Sequence, residues 1–202
     1  MSVDVDIDID QYSINVAKGL IMDTVRNADS GHTGGAFSSL DYIYVLFKEF
    51  LKFDPDDPSW KDRDRFVLSA GHESALIYTM LTYIGWLNIE DLKKFRKMGS
   101  RTPGHPEMGL TPGIEATTGP LGQGVGNAVG MAVAESILQN KFGSDIINHY
   151  TYCLHGDGDI QEPVAQGAIA LAGHWGLGKL ISFYDSNNAQ ISGKVNRSDS
   201  TD

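Results

Sequence analysis

The chain has 202 residues, a formal net charge of -10 and a pI near 4.9, with 41% hydrophobic residues. That length suits one domain with material for a core, and the acidity argues against a nucleic-acid surface, which needs clustered Lys and Arg. A single cysteine, Cys153, excludes an intrachain disulfide and allows a reducing compartment; no apolar run is long enough to cross a bilayer, and the acidic start lacks the basic residues of a secretory or transit peptide, so the cytoplasm is the expected location.

Residues 3–10 alternate Asp with Val or Ile. So many like charges predict that residues 1–12 are a mobile acidic leader rather than a strand. Residues 13–28 carry Ile14, Ala17, Leu20, Ile21 and Val25 at helical spacing, with Ser13 as the N-cap. A polar, Gly-rich turn over residues 30–35 contains His32, and the apolar stretch 40–51 is long enough for a buried helix. Residues 65–69 read as a short strand, followed by the Ala70-Gly71-His72 turn and a helix over 74–83. Asn88 caps a further helix reaching Lys97.

From Met98 to Pro120 the chain is rich in Pro and Gly, which makes it either an ordered functional loop or a disordered one. Residues 121–139 then place Gly122, Gly126, Gly130 and Ala134 at helical spacing, as in a helix packed closely against a neighbour. The last portion reads strand (150–154), helix (162–172), strand (180–184). That order is a βαβ unit, so the fold class is α/β, a parallel sheet flanked by helices, with ligands beyond the carboxyl ends of the strands. Cys153, inside an apolar run, is expected to be a buried, inert thiol.

His155-Gly156-Asp157-Gly158-Asp159 follows the first strand of this unit, and Asp185-Ser186-Asn187-Asn188 follows the second. The fold brings Asp157 and Asn187 together, although many residues separate them in the chain. A carboxylate, an amide oxygen, a backbone carbonyl, water and phosphate oxygens would suit Mg2+ or Ca2+. Glycines beside Asp157 allow the backbone to approach a ligand closely, and amides at a helix start attract phosphate.

This combination resembles the diphosphate-anchoring motif of thiamine-diphosphate enzymes, which opens on Gly-Asp-Gly and closes on Asn. Further blocks narrow the resemblance to the transketolase family. They are Ser30-Gly31-His32; Asp64-Arg65-Phe66-Val67-Leu68-Ser69 with Gly71-His72; Ser100-Arg101-Thr102-Pro103-Gly104-His105-Pro106-Glu107; and Thr117-Thr118-Gly119-Pro120-Leu121-Gly122-Gln123-Gly124 with Asn127-Ala128-Val129-Gly130-Met131-Ala132. They stand in the family's order and cover most of residues 27–193.

The resemblance implies thiamine diphosphate and Mg2+ (or Ca2+) as cofactors and ketol transfer between sugar phosphates as the activity. It assigns Asp157, Asn187 and the backbone of Ala189 to the metal, and His72, Gly119, Leu121, Gly158 and Asn187 to the cofactor. His32 and His105 would face hydroxyls of the sugar donor. Glu162 would join an acid network at a dimer interface, while His149, His155 and His174 are expected to be structural. Dihydroxyacetone synthase, 1-deoxyxylulose-5-phosphate synthase and a non-catalytic scaffold remain alternatives; the 102–107 segment favours transketolase over the second.

Three positions depart from the family pattern. Thr33 stands for a usual proline, Pro163 for a usual glycine, and Glu73 for a small residue, which would set a second negative charge beside a diphosphate. The resemblance also implies that the pyrimidine-binding domain, with its activating glutamate, lies on a second polypeptide in a homo- or hetero-oligomer. On that expectation the sheet is incomplete at its carboxyl-terminal end, through truncation rather than as an ordinary split subunit, and the chain alone is inactive.

Overall fold

The computed structural model describes residues 8–190 and 193–200. Its centre is a parallel three-stranded sheet in the order β1 (Arg65–Leu68), β2 (Thr151–Gly156), β3 (Leu180–Asp185). Phe66 pairs with Tyr152, and Cys153 with Ser182. Alternate side chains of a strand point to opposite faces. Accordingly Phe66, Leu68, Tyr152 and Leu154 join one core, and Val67 and Cys153 a second.

The first core lies under α1 (Ile9–Ala28), α2 (Gly34–Val45) and α3 (Ser74–Tyr83), which pack on one another. Helix α1 begins at Ile9, four residues before the expected Ser13 cap. Asp8 is the cap: its Oδ1 accepts from the amides of Asp10 and Gln11 at 3.0 and 3.1 Å, satisfying donors that a helix start leaves free. Residues 9–12, assigned from sequence to the leader, are therefore helical, while the rest of that segment up to residue 7 lies outside the described residues. Helix α2 likewise starts inside the expected turn, at Gly34, and gives way after Val45 to a π-helical turn, Leu46–Phe50.

The expected strand over 65–69 and helix over 74–83 are found within one residue. The helix expected from Asn88 to Lys97 is a single turn, α4 (Ile89–Leu92). Asn88 does cap it, in a reciprocal box with Asp91. Beyond it the backbone bonds are turn-like, Phe95 N–H to Leu92 O and Lys97 N–H to Lys94 O, and Arg96 takes φ 59°; a left-handed residue cannot continue the helix.

The Pro/Gly-rich segment holds no regular element, yet it is tied down. Thr102 Oγ1 donates to Asp91 O at 2.7 Å, Thr111 Oγ1 to Arg101 O at 2.5 Å, and Arg63 Nη2 to Glu115 Oε2 at 2.9 Å. Of the two readings of this loop, the ordered one holds.

Helix α5 (Gln123–Phe142) covers the second face, against β1, β2 and α7 (Pro163–Trp175). Its close approach falls at Gly122 and Gly124 rather than along the whole small-residue series: a Cβ on Gly124 would overlap Ser69, whereas one on Gly130 would meet nothing. Pro163 occupies the first turn of α7, where no backbone donor is lost. A one-turn helix, α6 (Asp157–Ile160), stands between β2 and α7, so the Gly-Asp-Gly motif does not open the long helix directly. A short antiparallel pair, β4 (Ala189–Gln190) with β5 (Gly193–Lys194), and a 3-10 turn, Val195–Arg197, are the last elements of the described residues. No helix among the described residues is long and apolar enough to cross a membrane.

Candidate functional site

The turns leaving β1, β2 and β3 converge at the carboxyl end of the sheet. After β1 comes a 3-10 turn, Gly71–Glu73, that carries His72. A Cβ on Gly71 would sit 2.7 Å from Gly119 N and 2.8 Å from Thr118 Oγ1, so the missing side chain lets the 118–119 backbone lie against this turn. Gly119, at φ 137°, in turn carries the His105 ring on its α-carbon, where a Cβ would meet His105 Cγ at 3.1 Å. On the other side the His32 and His72 rings meet edge to face, their centroids 5.1 Å apart. Arg96 Nη1 donates to Ser30 Oγ at 2.8 Å and Ser74 Oγ to Gly104 O at 2.8 Å, which anchors the segments bearing His32 and His105.

Asp157 and the turn after β3 meet as the sequence implies. The Asp157 Oδ2 accepts from the amides of Asn187 (3.0 Å) and Asn188 (2.7 Å), and Oδ1 accepts from the Tyr184 hydroxyl. Asn187 Oδ1 accepts from Ala189 N–H at 2.9 Å, and its Nδ2 donates to Asp185 Oδ2 at 2.8 Å. Asn188 bends the turn at φ 55°, a left-handed conformation that Asn tolerates better than most residues. Leu121 lies over Gly158, where a Cβ would meet Leu121 Cδ1 at 2.9 Å. Contacts therefore link His32 to His72, the His72 turn to Gly119, Gly119 to His105, Leu121 to Gly158, Asp157 to Asn187 and Asn188, and Asn187 to Ala189.

Glu162 stands apart from that series. It is exposed, at the N-cap of α7, and makes no side-chain cap bond; its N–H donates to Asp159 O at 3.1 Å, and a Cβ on Gly122 would meet Glu162 Cβ at 2.7 Å. His155 is buried and stacks on Tyr184, with Nε2 2.5 Å from Ser182 Oγ. His149 is buried beside Asp62 at 3.1 Å, and His174 is exposed in the last turn of α7. Burial pushes the Cys153 thiol far up, so it stays protonated.

Glu73 does not turn away from the site. It is 1% exposed, its carboxylate fills the notch left by the missing side chain of Gly35, and Oε1 stands 4.0 Å from His72 Nε2. Burial, then the negative charges of Asp185 and Asp159, push its carboxyl up to about 8, against an opposing hydrogen bond with Ser39. At neutral pH it is thus mostly an uncharged acid, and the second negative charge expected from the sequence is largely absent. Partial burial, with the neighbouring His32, holds the His72 imidazole below its ordinary value.

Two site residues escaped the sequence reading, Asp159 and Ser69. Asp159 is fully buried and accepts three hydrogen bonds, one of them from Ser69 Oγ at 2.6 Å. The available signal was a second acid two positions past Asp157, in a loop where only one is needed to meet a cation.

A family model described as the transketolase thiamine diphosphate binding domain matches residues 9–202. The transketolase of Streptococcus pyogenes is 51% identical over 190 residues, covering 92% of this chain and 26% of that protein. Transketolase 1 of Escherichia coli is 52% identical over 185 residues, covering 90% and 28%. Among solved structures, the Leishmania mexicana transketolase matches with a TM-score of 0.93 at 47% identity, covering 96% of this chain and 30% of that one. A Pichia stipitis transketolase in complex with sedoheptulose-7-phosphate matches at 0.92 and 45% identity, covering 96% and 29%. The chain thus spans under a third of the length of these relatives. With a thiamine-diphosphate-binding domain matched over nearly its whole length, the chain belongs to the transketolase family.

Proposed function

We propose that this chain holds the diphosphate end of thiamine diphosphate, with Mg2+ (or Ca2+), as the amino-terminal part of a transketolase that moves a two-carbon ketol unit between sugar phosphates. The observation that carries the reading is the meeting of Asp157 with the Asn187 turn at the carboxyl ends of β2 and β3. The donors there are hard oxygens, from the Asp157 carboxylate, the Asn187 amide and the Ala189 carbonyl, and these suit either cation. Of roughly four lone-pair positions on a carboxylate, the Tyr184 hydroxyl and the two amides occupy three on Asp157. That fixes the group and leaves one position for a cation. Among the described residues no three His, Cys, Asp or Glu side chains cluster to hold a metal, so phosphate oxygens and water would complete the shell.

When bound, thiamine diphosphate supplies a nucleophilic thiazolium carbon and an electron sink, and the cation balances the diphosphate charge. His72, kept neutral by partial burial, can donate a ring N–H to a phosphate oxygen. Gly158 and Gly119 offer backbone without a side chain in the way, and Leu121 gives apolar support to a ring. His32 and His105 are exposed beside this row, where an imidazole can bond a sugar hydroxyl or pass a proton near neutral pH. The sugar-phosphate complex of the Pichia stipitis relative supports that substrate class. Glu162 lies on the outer side of Gly122, facing solvent, as a residue of an oligomer interface would.

In this reading residues 1–202 do not catalyse by themselves, and the pyrimidine-binding part, with the acid that activates the cofactor, is supplied by another domain or polypeptide. Exposed Ile169, Leu171, Trp175, Ile181 and Tyr184 offer the apolar surface that such an assembly would cover. A single free thiol is compatible with a cytoplasmic setting. The test is calorimetric binding of thiamine diphosphate with and without Mg2+, followed by ketol transfer with and without a pyrimidine-domain polypeptide. We expect metal-dependent binding that Asp157→Ala abolishes, and turnover only with the second polypeptide. Unchanged binding in Asp157→Ala would overturn the metal assignment, and turnover by the chain alone would overturn the need for a partner. Absence of both binding and turnover would favour a non-catalytic scaffold.

A further inference from the structure

Asp159 has no assigned role, yet it lies where the two halves of the candidate site join. It is 0% exposed. Its Oδ1 accepts from Ser69 Oγ at 2.6 Å and from Gly122 N–H at 2.8 Å, and its Oδ2 accepts from Gly156 N–H at 3.0 Å. Ser69 Oγ accepts in turn from Val125 N–H at 3.1 Å. One carboxylate thus gathers the end of β1, the turn before α5, the first turn of α5 and the loop that presents Asp157.

The surrounding backbone is shaped to this network. Gly122 takes φ 79°, a conformation that favours glycine, and Gly124 leaves no room for a side chain against Ser69. Gly119 and Leu121 sit just before Gly122, and Asp157 and Gly158 sit just after Gly156. Moving Gly122 against Gly156 would change the separation of these two pairs.

We propose that Asp159 is a positioning residue that sets the spacing between the Gly119/Leu121 turn, which supports the ring end of the cofactor, and the Asp157/Gly158 loop, which holds its diphosphate. This rests on the cofactor reading above. The demand is for three acceptor positions and no donor, which an ionised carboxylate meets and an amide does not. In Asp159→Asn, turning the amide oxygen toward Ser69 and Gly122 leaves an NH2 facing Gly156 N–H. The opposite rotamer sets NH2 against Gly122 N–H. Either way two donors confront each other in a site without water access, which is costly. The defect therefore falls on the spacing of the two loops.

A ligand that spans both loops senses that spacing, and one that touches a single loop does not. The test measures the calorimetric affinity of the chain for thiamine diphosphate and for inorganic pyrophosphate, each with Mg2+, in the wild type, Asp159→Asn and Ser69→Ala. We expect Asp159→Asn to weaken thiamine diphosphate at least tenfold while pyrophosphate stays within threefold. Ser69→Ala, which removes one of the three donors, should shift the same ratio by a smaller factor, and it carries the test if circular dichroism shows Asp159→Asn to be unfolded. Equal loss for both ligands would mark Asp159 as a purely structural residue and overturn the proposal, as would no loss for either. A wild type that binds neither ligand would instead bring down the cofactor reading on which the proposal rests.

Discussion

The strands β1 and β3 flank the same central strand with the same parallel pairing, yet their surroundings differ. Three of the four residues of β1 are buried, and α3, which follows it, buries eight of its ten. No residue of β3 is fully buried, and α7, which leads into it, buries only Ala165. Parallel strands are ordinarily covered on both faces. β3 keeps the apolar make-up of such a strand, Leu180-Ile181-Ser182-Phe183-Tyr184, while lying at the surface. Beside it a groove of about 860 Å³ runs along Tyr42, Phe50, Tyr150, Tyr152, Ile181 and Phe183, several of them stacked on one another. The metal-ligating candidates divide along the same line, since Asp157 is buried at the end of β2 whereas Asn187 and Ala189 are exposed after β3. In this molecule hydrogen bonding, helped by the partial packing of Leu180 and Phe183, places the β3 side, and close packing places the β1 side.

Three substitutions would break or sharpen that contrast. Glu73 should show the largest effect, because only a well-packed region can keep a carboxyl protonated. Its folded value near 8 exceeds the ordinary 4.5, so the folded chain binds more protons than the unfolded chain between those values. Stability contributed by the proton is full below about 4.5 and is lost as pH rises through about 8. At about 1.4 kcal/mol per unit of pKa, the full loss is ~5 kcal/mol. Glu73→Gln should remove that slope from urea unfolding measured at pH 5 and pH 8.5; an unchanged slope would mean that water reaches the carboxyl. Next, Leu76→Ala, at a residue 0% exposed in α3, should cost about 3 kcal/mol through lost transfer energy and a cavity. Trp175→Ala, at a residue 53% exposed in α7, should cost under about 0.5 kcal/mol. A Trp175 penalty close to that of Leu76 would show that the α7 side is packed in solution, by self-association or otherwise.

The same division governs how much could be read from the sequence. The β1 strand and helix α3 were legible to within a residue because period and burial agree there. The start of α1 was not, because Asp8 competes with Ser13 as a cap and only the fold decides between two good caps. The helix after Asn88 was overextended: Lys93 and Lys94 are good helix formers, but Arg96 is drawn into a left-handed turn by its bond to Thr102 O at 2.9 Å. The meeting of Asp157 with Asn187 follows from the βαβ rule and was legible. The neutral state of Glu73 depends on Gly35, distant in the chain, and no local pattern could announce that pairing. Asp159 was hidden for a related reason, since its three donors come from three separate segments.

Cys153 is the only cysteine in the chain. It sits in the middle of the central strand at 2% exposure, with its thiol held protonated by burial. A thiol so placed is silent toward alkylating reagents while the strands remain paired, and it reacts when they part. The chain therefore carries its own clock. The rate of Cys153 modification counts sheet openings directly, and adding a ligand that closes over β3 should slow it.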